Sequence, residues 1–199
     1  MLFAGLPDTR AQQKRFAFIT NAVNDFWALS REGVEQAAKD FDIQTSYATP
    51  PNGTAAEQTR IVKDLLAEGI NGIAITVIDP PSMTPLLNKA AEKTLLITYD
   101  SDAPDSNRIC YIGTNNYSAG RTRGKLVKGV IPEGGKLILQ VGKLDVLNAV
   151  ERRQGITDVL RGQPIPAKCT VSPPGRVECG KWIILDTDGL ASPPFYPAI

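Results

Sequence analysis

Two short stretches in the first half of the chain carry side chains that can bind a polar small molecule. In the first, Asn24 precedes the aromatic residues Phe26 and Trp27. An amide both donates and accepts hydrogen bonds, and aromatic rings can stack on the C–H face of a ring-shaped ligand. The second stretch contains Asp100, whose ionised carboxylate accepts stronger hydrogen bonds from hydroxyl groups than a neutral acceptor does.

Purely structural roles account for the same residues. Aromatic residues at the start of a helix often pack into the core, and an asparagine there often caps the helix. Asp100 and Asp102 stand in a segment of typical turn composition. We expect Asp102 to be a surface turn residue and leave both readings open for the others.

The second half of the chain adds Asn148 and Arg152, which are one helical turn apart. The planar guanidinium of Arg152 can donate to adjacent hydroxyls or to a ring oxygen. The alternatives are a helix cap for Asn148 and a solvated helix charge for Arg152.

Composition excludes several classes of function. The 199 residues include 22 Lys and Arg, 21 Asp and Glu, and no His. Triads that use His and His-containing zinc sites are therefore absent. The small net charge provides no basic surface for nucleic acid, and no apolar run reaches the roughly 18 residues of a membrane span. We expect a globular protein with no metal, no other cofactor and no nucleic acid partner.

Catalytic and nucleotide-binding motifs are not found in the sequence. There is no G-x-G-x-x-G, and the Gly134-Gly135-Lys136 segment lacks the spacing of a phosphate-binding loop. Asp100 and Asp102 lie in one turn, whereas glycoside hydrolysis needs two carboxyl groups on opposite sides of a bond. We predict that the protein is not an enzyme.

The cysteines do not decide whether the protein works in an oxidising or a reducing compartment. Cys169 and Cys179 flank a turn-rich stretch and can close a small loop, which would suit an oxidising compartment. Three inert thiols, with Cys110 as the third, are the alternative.

Strand and helix patterns alternate from Phe16 to Ile112. The apolar runs are typical of parallel strands covered on both faces, and the helical patterns lie between them. The predicted strands are 16–20, 43–47, 73–78, 95–99 and 109–112, and the predicted helices are 27–41, 54–68 and 83–93. This order predicts an α/β fold whose first lobe is a parallel, doubly wound, Rossmann-like sheet. Ligands bind outside the carboxyl ends of such strands, where residues 21–26, 78–81, 100–102 and 113–116 lie.

The alternation begins again after residue 113. We predict helices at 117–130 and 148–161, strands at 136–141 and 182–185, and a long loop at 164–180. Two strands are too few for a finished sheet. The predicted organisation is a disordered leader (1–14), an N-terminal α/β lobe (15–113), an incomplete C-terminal α/β lobe (114–187) and an irregular tail (188–199).

Six segments resemble, in order, a family of binding proteins. They are FAFITNAVNDFW, EGVEQAAKDF, GINGIAITVIDP, LLITYDSDAP, CYIGTNNYSAGR and NAVERRQGI. The family is the periplasmic sugar-binding proteins of ABC importers, in the ribose-binding branch of the type I periplasmic binding protein fold. The resemblance spans about residues 15–186.

The resemblance implies a function and a set of ligand residues. Two lobes would close on a monosaccharide without chemistry and deliver it to a membrane permease or a chemosensor. The family's motifs match Asn24, Phe26, Trp27, Asp100 and Arg152, and Asn148 stands one turn before Arg152. The implied location is periplasmic or otherwise extracytoplasmic, and the implied state is a monomer.

Departures from the family pattern leave alternatives open. Asp25 stands where proline is common, Val77 where the ribose type has asparagine, and Ser101 where arginine often follows the aspartate. Ser101 argues against ribose itself. Family members are longer, so we expect a truncated chain. The alternatives are a fragment without binding activity and the ligand-binding core of a lac-repressor-type regulator, whose helix-turn-helix would not fit within residues 1–15.

Overall fold

A computed structural model describes residues 13–140, 144–162, 169–171 and 176–186. Its first half contains five strands and three helices in alternation, as the sequence predicts. The strands are β1 (Arg15–Ile19), β2 (Gln44–Ala48), β3 (Gly72–Ile75), β4 (Leu95–Tyr99) and β5 (Cys110–Ile112). The helices are α1 (Ala28–Asp40), which follows a 3-10 turn at Asp25–Trp27, α2 (Ala55–Ala67) and α3 (Pro80–Ala91).

The five strands form one parallel sheet in the order β2-β1-β3-β4-β5. One face packs against α2 and α3, with Ile19 and Ile75 of the sheet against Val62 and Leu87 of the helices in a single buried cluster. The opposite face is bordered by α1 at its β2 side. The predicted α/β, doubly wound fold is confirmed.

Helix α2 begins with a capping box formed by Thr54 and Glu57. The Thr54 hydroxyl accepts a hydrogen bond from the Glu57 N–H (3.3 Å), and the Glu57 carboxylate accepts one from the Thr54 N–H (3.4 Å). These bonds satisfy donors that the first helical turn leaves unpaired, and they explain why α2 begins directly after Thr54.

Two details of the first lobe differ from the prediction. Helix α3 begins at Pro80 and not at Met83, because the first turn of a helix needs no N–H from proline. Helix α1 ends at Asp40 and not at Phe41, and Phe41 is 73% exposed, whereas Val34 is half-buried.

The second half has more strands than predicted. It contains α4 (Asn116–Val130), β6 (Gly135–Leu139), α5 (Leu147–Arg161), β7 (Cys169–Val171), β8 (Arg176–Cys179) and β9 (Trp182–Asp186). These strands form a four-stranded mixed sheet in the order β6-β9-β8-β7. The prediction of two strands was wrong, because β7 and β8 are three and four residues long and too short for a clear periodic pattern.

Helices α4 and α5 pack closely through glycines. A methyl group added at Gly155 would overlap the backbone of Tyr117, and one added at Gly120 would overlap the backbone of Arg152. Small residues at both positions allow the two helices to approach each other. Beneath them, Ile156 and Leu160 bury against Trp182 and Ile184 of the second sheet.

Several predictions fall outside the described residues. They are the leader up to residue 12, the tail at 188–199 and most of the loop at 164–180. A bond between Cys169 and Cys179 also stays untested, as do the lobe boundaries.

Candidate functional site

Four of the predicted ligand residues lie at one edge of the first sheet. Asn24, Phe26 and Trp27 follow β1, and Asp100 follows β4. Both strands pair in parallel with β3, so their carboxyl ends reach the same edge. This is the edge at which open parallel sheets bind ligands.

Asp100 has a left-handed backbone conformation, with φ at 56°, which is uncommon for residues other than glycine. Its N–H donates to the Ile112 carbonyl (3.2 Å), and its carbonyl accepts a hydrogen bond from the Tyr111 hydroxyl (2.8 Å). These two contacts hold the backbone where the chain leaves β4. Backbone strain of this kind is often concentrated at functional sites.

A chain of side-chain hydrogen bonds orients the Asp100 carboxylate. The Thr76 hydroxyl donates to Asp100 Oδ2 (3.0 Å) and accepts from Asn21 Nδ2 (3.5 Å). The Asn21 oxygen in turn accepts from Trp27 Nε1 (3.2 Å). Among the residues that the structure describes, Asp100 Oδ1 has no hydrogen-bond partner. One carboxylate oxygen is therefore fixed, and the other is available to a ligand.

The two aromatic candidates have different environments. Trp27 is 8% exposed and Phe26 is 63% exposed. The Trp27 ring meets Phe26 edge-on with centroids 4.9 Å apart, and it meets Tyr99 edge-on at 5.7 Å. The accessible aromatic face at this edge therefore belongs to Phe26, with Trp27 packed behind it.

Asn24 does not cap the following helical turn with its side chain. Its backbone carbonyl accepts the Trp27 N–H (3.2 Å), but its side chain makes no capping hydrogen bond to the described backbone. The amide of Asn24 is exposed and so remains available to another molecule.

Three supporting residues were missed by the sequence analysis. Thr76 and Asn21 belong to the hydrogen-bond chain, and the Tyr99 hydroxyl donates to the Ile19 carbonyl (2.9 Å). Burial, followed by the nearby Tyr47 and Asp100, raises the pKa of Tyr99, so its hydroxyl keeps its proton. Thr76 could have been found, because it is the one polar residue in the apolar run at 73–78.

The prediction that Asp102 is a surface turn residue is wrong. Its side chain is only 15% exposed, and Oδ1 lies 2.6 Å from Arg108 Nε. Oδ2 accepts a hydrogen bond from Arg108 Nη2 (2.7 Å), and Oδ1 accepts one from the Thr98 hydroxyl (2.5 Å). Asp102 therefore anchors the loop that follows Asp100.

The two remaining candidates, Asn148 and Arg152, lie in the second lobe. Both line a cavity of about 500 Å³ between α4, α5 and the end of β6. Because α5 begins at Leu147 with Val146 at the capping position, a capping role for Asn148 is wrong. The described lining of this cavity includes no residue of the first lobe, so the six candidates fall into two separate groups.

Two hydrogen bonds link the parts of the chain that carry the two groups. The Leu147 N–H donates to Ser101 Oγ (3.1 Å), directly beside Asp100. The Asp79 N–H donates to the Asp145 carbonyl (2.7 Å). These bonds hold the first turn of α5 against the carboxyl edge of the first sheet.

One carboxyl group of α5 faces this boundary. Burial, and second the Asp102 carboxylate, raise the pKa of Glu151. Burial also raises the pKa of Tyr111. The hydrogen bond with Asn116 lowers this pKa, and the nearby Asp100, Asp102 and Glu151 raise it further. Glu151 therefore lies near the acidic loop of the first lobe, one helical turn beyond Leu147.

The described part of the chain contains neither a candidate metal cluster nor a helix suited to span a membrane. No group of three or more His, Cys, Asp or Glu side chains there could hold a metal ion. Among the helices described, none combines the length and apolar character needed to cross a bilayer.

Comparison with known proteins shows which family the chain resembles. A family model described as a periplasmic binding protein domain matches residues 16–184. The xylose/arabinose-binding protein XylF of Sulfolobus acidocaldarius is 22% identical over 163 residues. That alignment covers 74% of this chain and 40% of the relative.

Solved structures resemble the same region. An ABC transporter solute-binding protein from Burkholderia graminis in complex with D-arabinose has a TM-score of 0.71 and 31% identity, over 74% of this chain and 51% of that one. The arabinose-binding protein AraP from Geobacillus stearothermophilus has a TM-score of 0.61 and 27% identity, over 76% of this chain and 52% of that one. The chain thus spans about half the length of these two solved relatives and 40–45% of two curated ones.

Proposed function

The chain belongs to the periplasmic binding protein domain family, a class that binds solutes without catalysing a reaction, and we propose that it captures a small sugar. Relatives are named for binding arabinose, xylose, glucose and galactose. A monosaccharide of five or six carbons is therefore the proposed ligand.

The observation that carries the proposal is the orientation of the Asp100 carboxylate. Oδ2 is held by Thr76 at 3.0 Å, which leaves Oδ1 oriented and without a partner among the described residues. A fixed, ionised acceptor binds neighbouring sugar hydroxyls without first losing its own rotational freedom.

Phe26 and Asn24 complete the first-lobe half of the proposed site. The exposed Phe26 ring, supported from behind by Trp27, offers a flat apolar surface to the C–H face of a sugar. The Asn24 amide supplies a donor and an acceptor for hydroxyl groups. Trp27, predicted as a second stacking ring, is assigned the supporting role.

Asn148 and Arg152 supply the second-lobe half in this proposal. A sugar that contacts both lobes favours the arrangement in which they close on it, because it binds that arrangement more tightly. The contact between Leu147 and Ser101 supports a shared boundary at which this closure takes place. The protein would act as a monomer.

The family also suggests where the protein acts and to which partner it delivers its sugar. Solved relatives are solute-binding proteins of ABC transporters. We therefore propose that the loaded protein acts outside the cytoplasmic membrane and presents its sugar to a membrane permease or to a chemosensor.

Calorimetric titration with D-arabinose, D-xylose, D-glucose and D-galactose tests the proposal. We expect one saturable site for at least one sugar. Asp100→Asn should weaken that binding roughly 10- to 100-fold, as the loss of a hydrogen bond to a charged group does. Asp64→Asn, an exposed position on α2, is the matched control and should bind like the unmodified chain. Equal affinity in the two variants would contradict the assigned role of Asp100.

A further inference from the structure

Helix α5 begins without a polar capping residue of its own. Val146 stands at the capping position, and its apolar side chain makes no capping hydrogen bond. The first N–H groups of a helix have no carbonyl partner within the helix, and a nearby Ser, Thr, Asp or Asn usually supplies the acceptor. The Leu147 N–H instead donates to Ser101 Oγ at 3.1 Å, from 46 residues earlier in the chain. The cap of α5 is therefore provided by the first lobe.

Ser101 is held in place on the first-lobe side of this contact. Its N–H donates to the Thr76 hydroxyl (3.2 Å), and its carbonyl accepts a hydrogen bond from the Val77 N–H (2.9 Å). Both bonds tie its backbone to the segment that follows β3, and the residue is fully buried. The hydroxyl therefore presents its oxygen to α5 from a fixed backbone.

The backbone on the first-lobe side is strained at two positions along this boundary. Asp100, directly before Ser101, has φ at 56°, and Asp79 has φ at 47°. The Asp79 N–H donates to the Asp145 carbonyl (2.7 Å), which is another hydrogen bond between the lobes. Left-handed backbone costs free energy in residues other than glycine and persists where surrounding contacts offset it. Both strained residues thus stand where the first lobe contacts the second.

The position of this cap relates it to the proposed sugar site. Ser101 follows Asp100 directly. Leu147 directly precedes Asn148, and Arg152 lies one helical turn beyond Asn148. The hydrogen bond therefore joins the two halves of the proposed site at points one residue away from each. A fixed distance between the halves lowers the ordering cost of binding a ligand that contacts both.

We propose that Ser101 is a positioning residue, whose hydroxyl caps α5 across the lobe boundary and so sets the distance between the two halves of the sugar site. Its effect on the sugar passes through α5. The inference rests on the proposed sugar-binding function and deepens it, because it names the contact that holds Arg152 within reach of a ligand bound at Asp100.

Ser101→Ala removes the cap and leaves the ligand residues of both lobes unchanged. The probe is whichever of D-arabinose, D-xylose, D-glucose and D-galactose the unmodified chain binds. We expect the variant to bind that sugar about three- to tenfold more weakly, the effect of losing one hydrogen bond. Ser106→Ala is the matched control and should bind like the unmodified chain. Ser106 is also buried, but its hydroxyl donates to the Ala103 carbonyl (2.7 Å) within the first lobe.

Amide hydrogen exchange at Leu147 tests the cap itself, with or without sugar. A hydrogen-bonded N–H exchanges when the local structure opens. We expect the Leu147 N–H to be protected in the unmodified chain and in Ser106→Ala, and to exchange about tenfold faster in Ser101→Ala. Melting curves of both variants show that the fold is retained, and the titrations are made below both unfolding midpoints.

A double-variant cycle separates positioning from a general loss of stability. If Ser101 acts through α5, its effect on affinity should largely vanish once Arg152 is removed, since residues that act as a unit are not additive. We expect Ser101→Ala to weaken binding by less than about twofold in an Arg152→Ala background. The same loss of affinity in both backgrounds would show a merely structural role and overturn the inference.

The failure of this inference is distinguishable from the failure of the proposed function. Unchanged sugar affinity in Ser101→Ala, beside an unmodified chain that binds, would overturn the inference and leave the proposed function intact. Unchanged exchange of the Leu147 N–H would overturn the cap. Absence of binding by the unmodified chain would overturn the proposed function and, with it, the positioning role, and the exchange comparison would still decide whether Ser101 caps α5.

Discussion

The hydroxyl of Thr76 donates a 3.0 Å hydrogen bond to Oδ2 of Asp100, and this contact joins β3 to the proposed ligand residue that follows β4. Thr76 is fully buried and also accepts a hydrogen bond from the Ser101 N–H (3.2 Å). It is therefore the residue that fixes both the carboxylate and the backbone beside it.

Replacing Thr76 by valine should weaken ligand binding, whereas replacing an equally buried threonine elsewhere should lower only the stability. We expect Thr76→Val to weaken sugar binding about three- to tenfold, the effect of losing one hydrogen bond, because the Asp100 carboxylate is no longer held. Thr98→Val is the matched control. Thr98 is equally buried, and its hydroxyl donates to Asp102 instead. Both variants should melt at lower temperature, but only the first should lose affinity in a calorimetric titration.

Phe26 and Trp27 should differ when each is truncated to alanine. Phe26→Ala should change the free energy of unfolding by no more than about 0.5 kcal/mol, since the side chain is largely exposed, and should weaken sugar binding about two- to tenfold. Trp27→Ala should cost about 3–5 kcal/mol of folding stability, because it empties a packed site.

Phe41→Ala serves as the control for an exposed phenylalanine outside the site. It should alter neither the unfolding midpoint nor the affinity. Denaturant unfolding and sugar titration measure the two effects separately. A sugar affinity unchanged by Phe26→Ala would remove this ring from the proposed site.

The glycines of α4 and α5 should respond to alanine in opposite directions. Gly155→Ala should destabilise the protein by about 1–3 kcal/mol, because the added methyl group overlaps the backbone of Tyr117. Gly129→Ala, in the same helix pair, meets open space and should stabilise it by about 0.5–1 kcal/mol. Thermal unfolding distinguishes these results. Two changes of the same sign would contradict the close approach of the helices.

The pKa of Glu151 gives a prediction that depends on pH. Its pKa is raised above the ordinary 4.5 by burial and then by Asp102. The folded chain therefore holds this proton more tightly than the unfolded chain. The resulting contribution to stability is complete below 4.5 and is lost as the pH rises through the folded-state pKa.

Glu151→Gln should therefore raise the melting temperature near neutral pH and have little effect at about pH 4 or below, where the carboxyl group is neutral in both states. Glu32→Gln, at an exposed position on α1, is the control for loss of one negative charge. Melting temperatures measured from acidic to neutral pH give the comparison. An equal effect of Glu151→Gln at both ends of the range would contradict the position of Glu151 at the lobe boundary.

Much of the first lobe could be predicted from sequence because local and global signals agree there. The apolar run at 95–99 has the same bounds as β4, and the Thr54–Glu57 pair defines the start of α2. The second sheet could not be predicted in the same way. Strands β7 and β8 form through pairing with each other and with β9, and long-range pairing leaves little trace in segments of three or four residues.

The candidate site, like the fold, could be predicted only in part. Spacing after the strands located Asp100, Phe26 and Asn24, because the carboxyl ends of parallel strands meet at one edge. Sequence could not show that Trp27 is buried and Phe26 exposed, since that depends on how the turn at Asp25–Trp27 faces Tyr99. It also could not show that Asp102 pairs with Arg108, because this contact depends on how the loop folds back.

The central claim is sugar capture, and the most direct test is a thermal-shift scan of the 199-residue chain against a panel of pentoses and hexoses. A solute that binds only the folded state raises the unfolding midpoint in proportion to the logarithm of its concentration, once it exceeds the dissociation constant. We expect a concentration-dependent rise of the midpoint for at least one sugar, and a smaller rise at the same sugar concentration for Asp100→Asn. A cooperative melt whose midpoint stays the same for every sugar in the panel would contradict it.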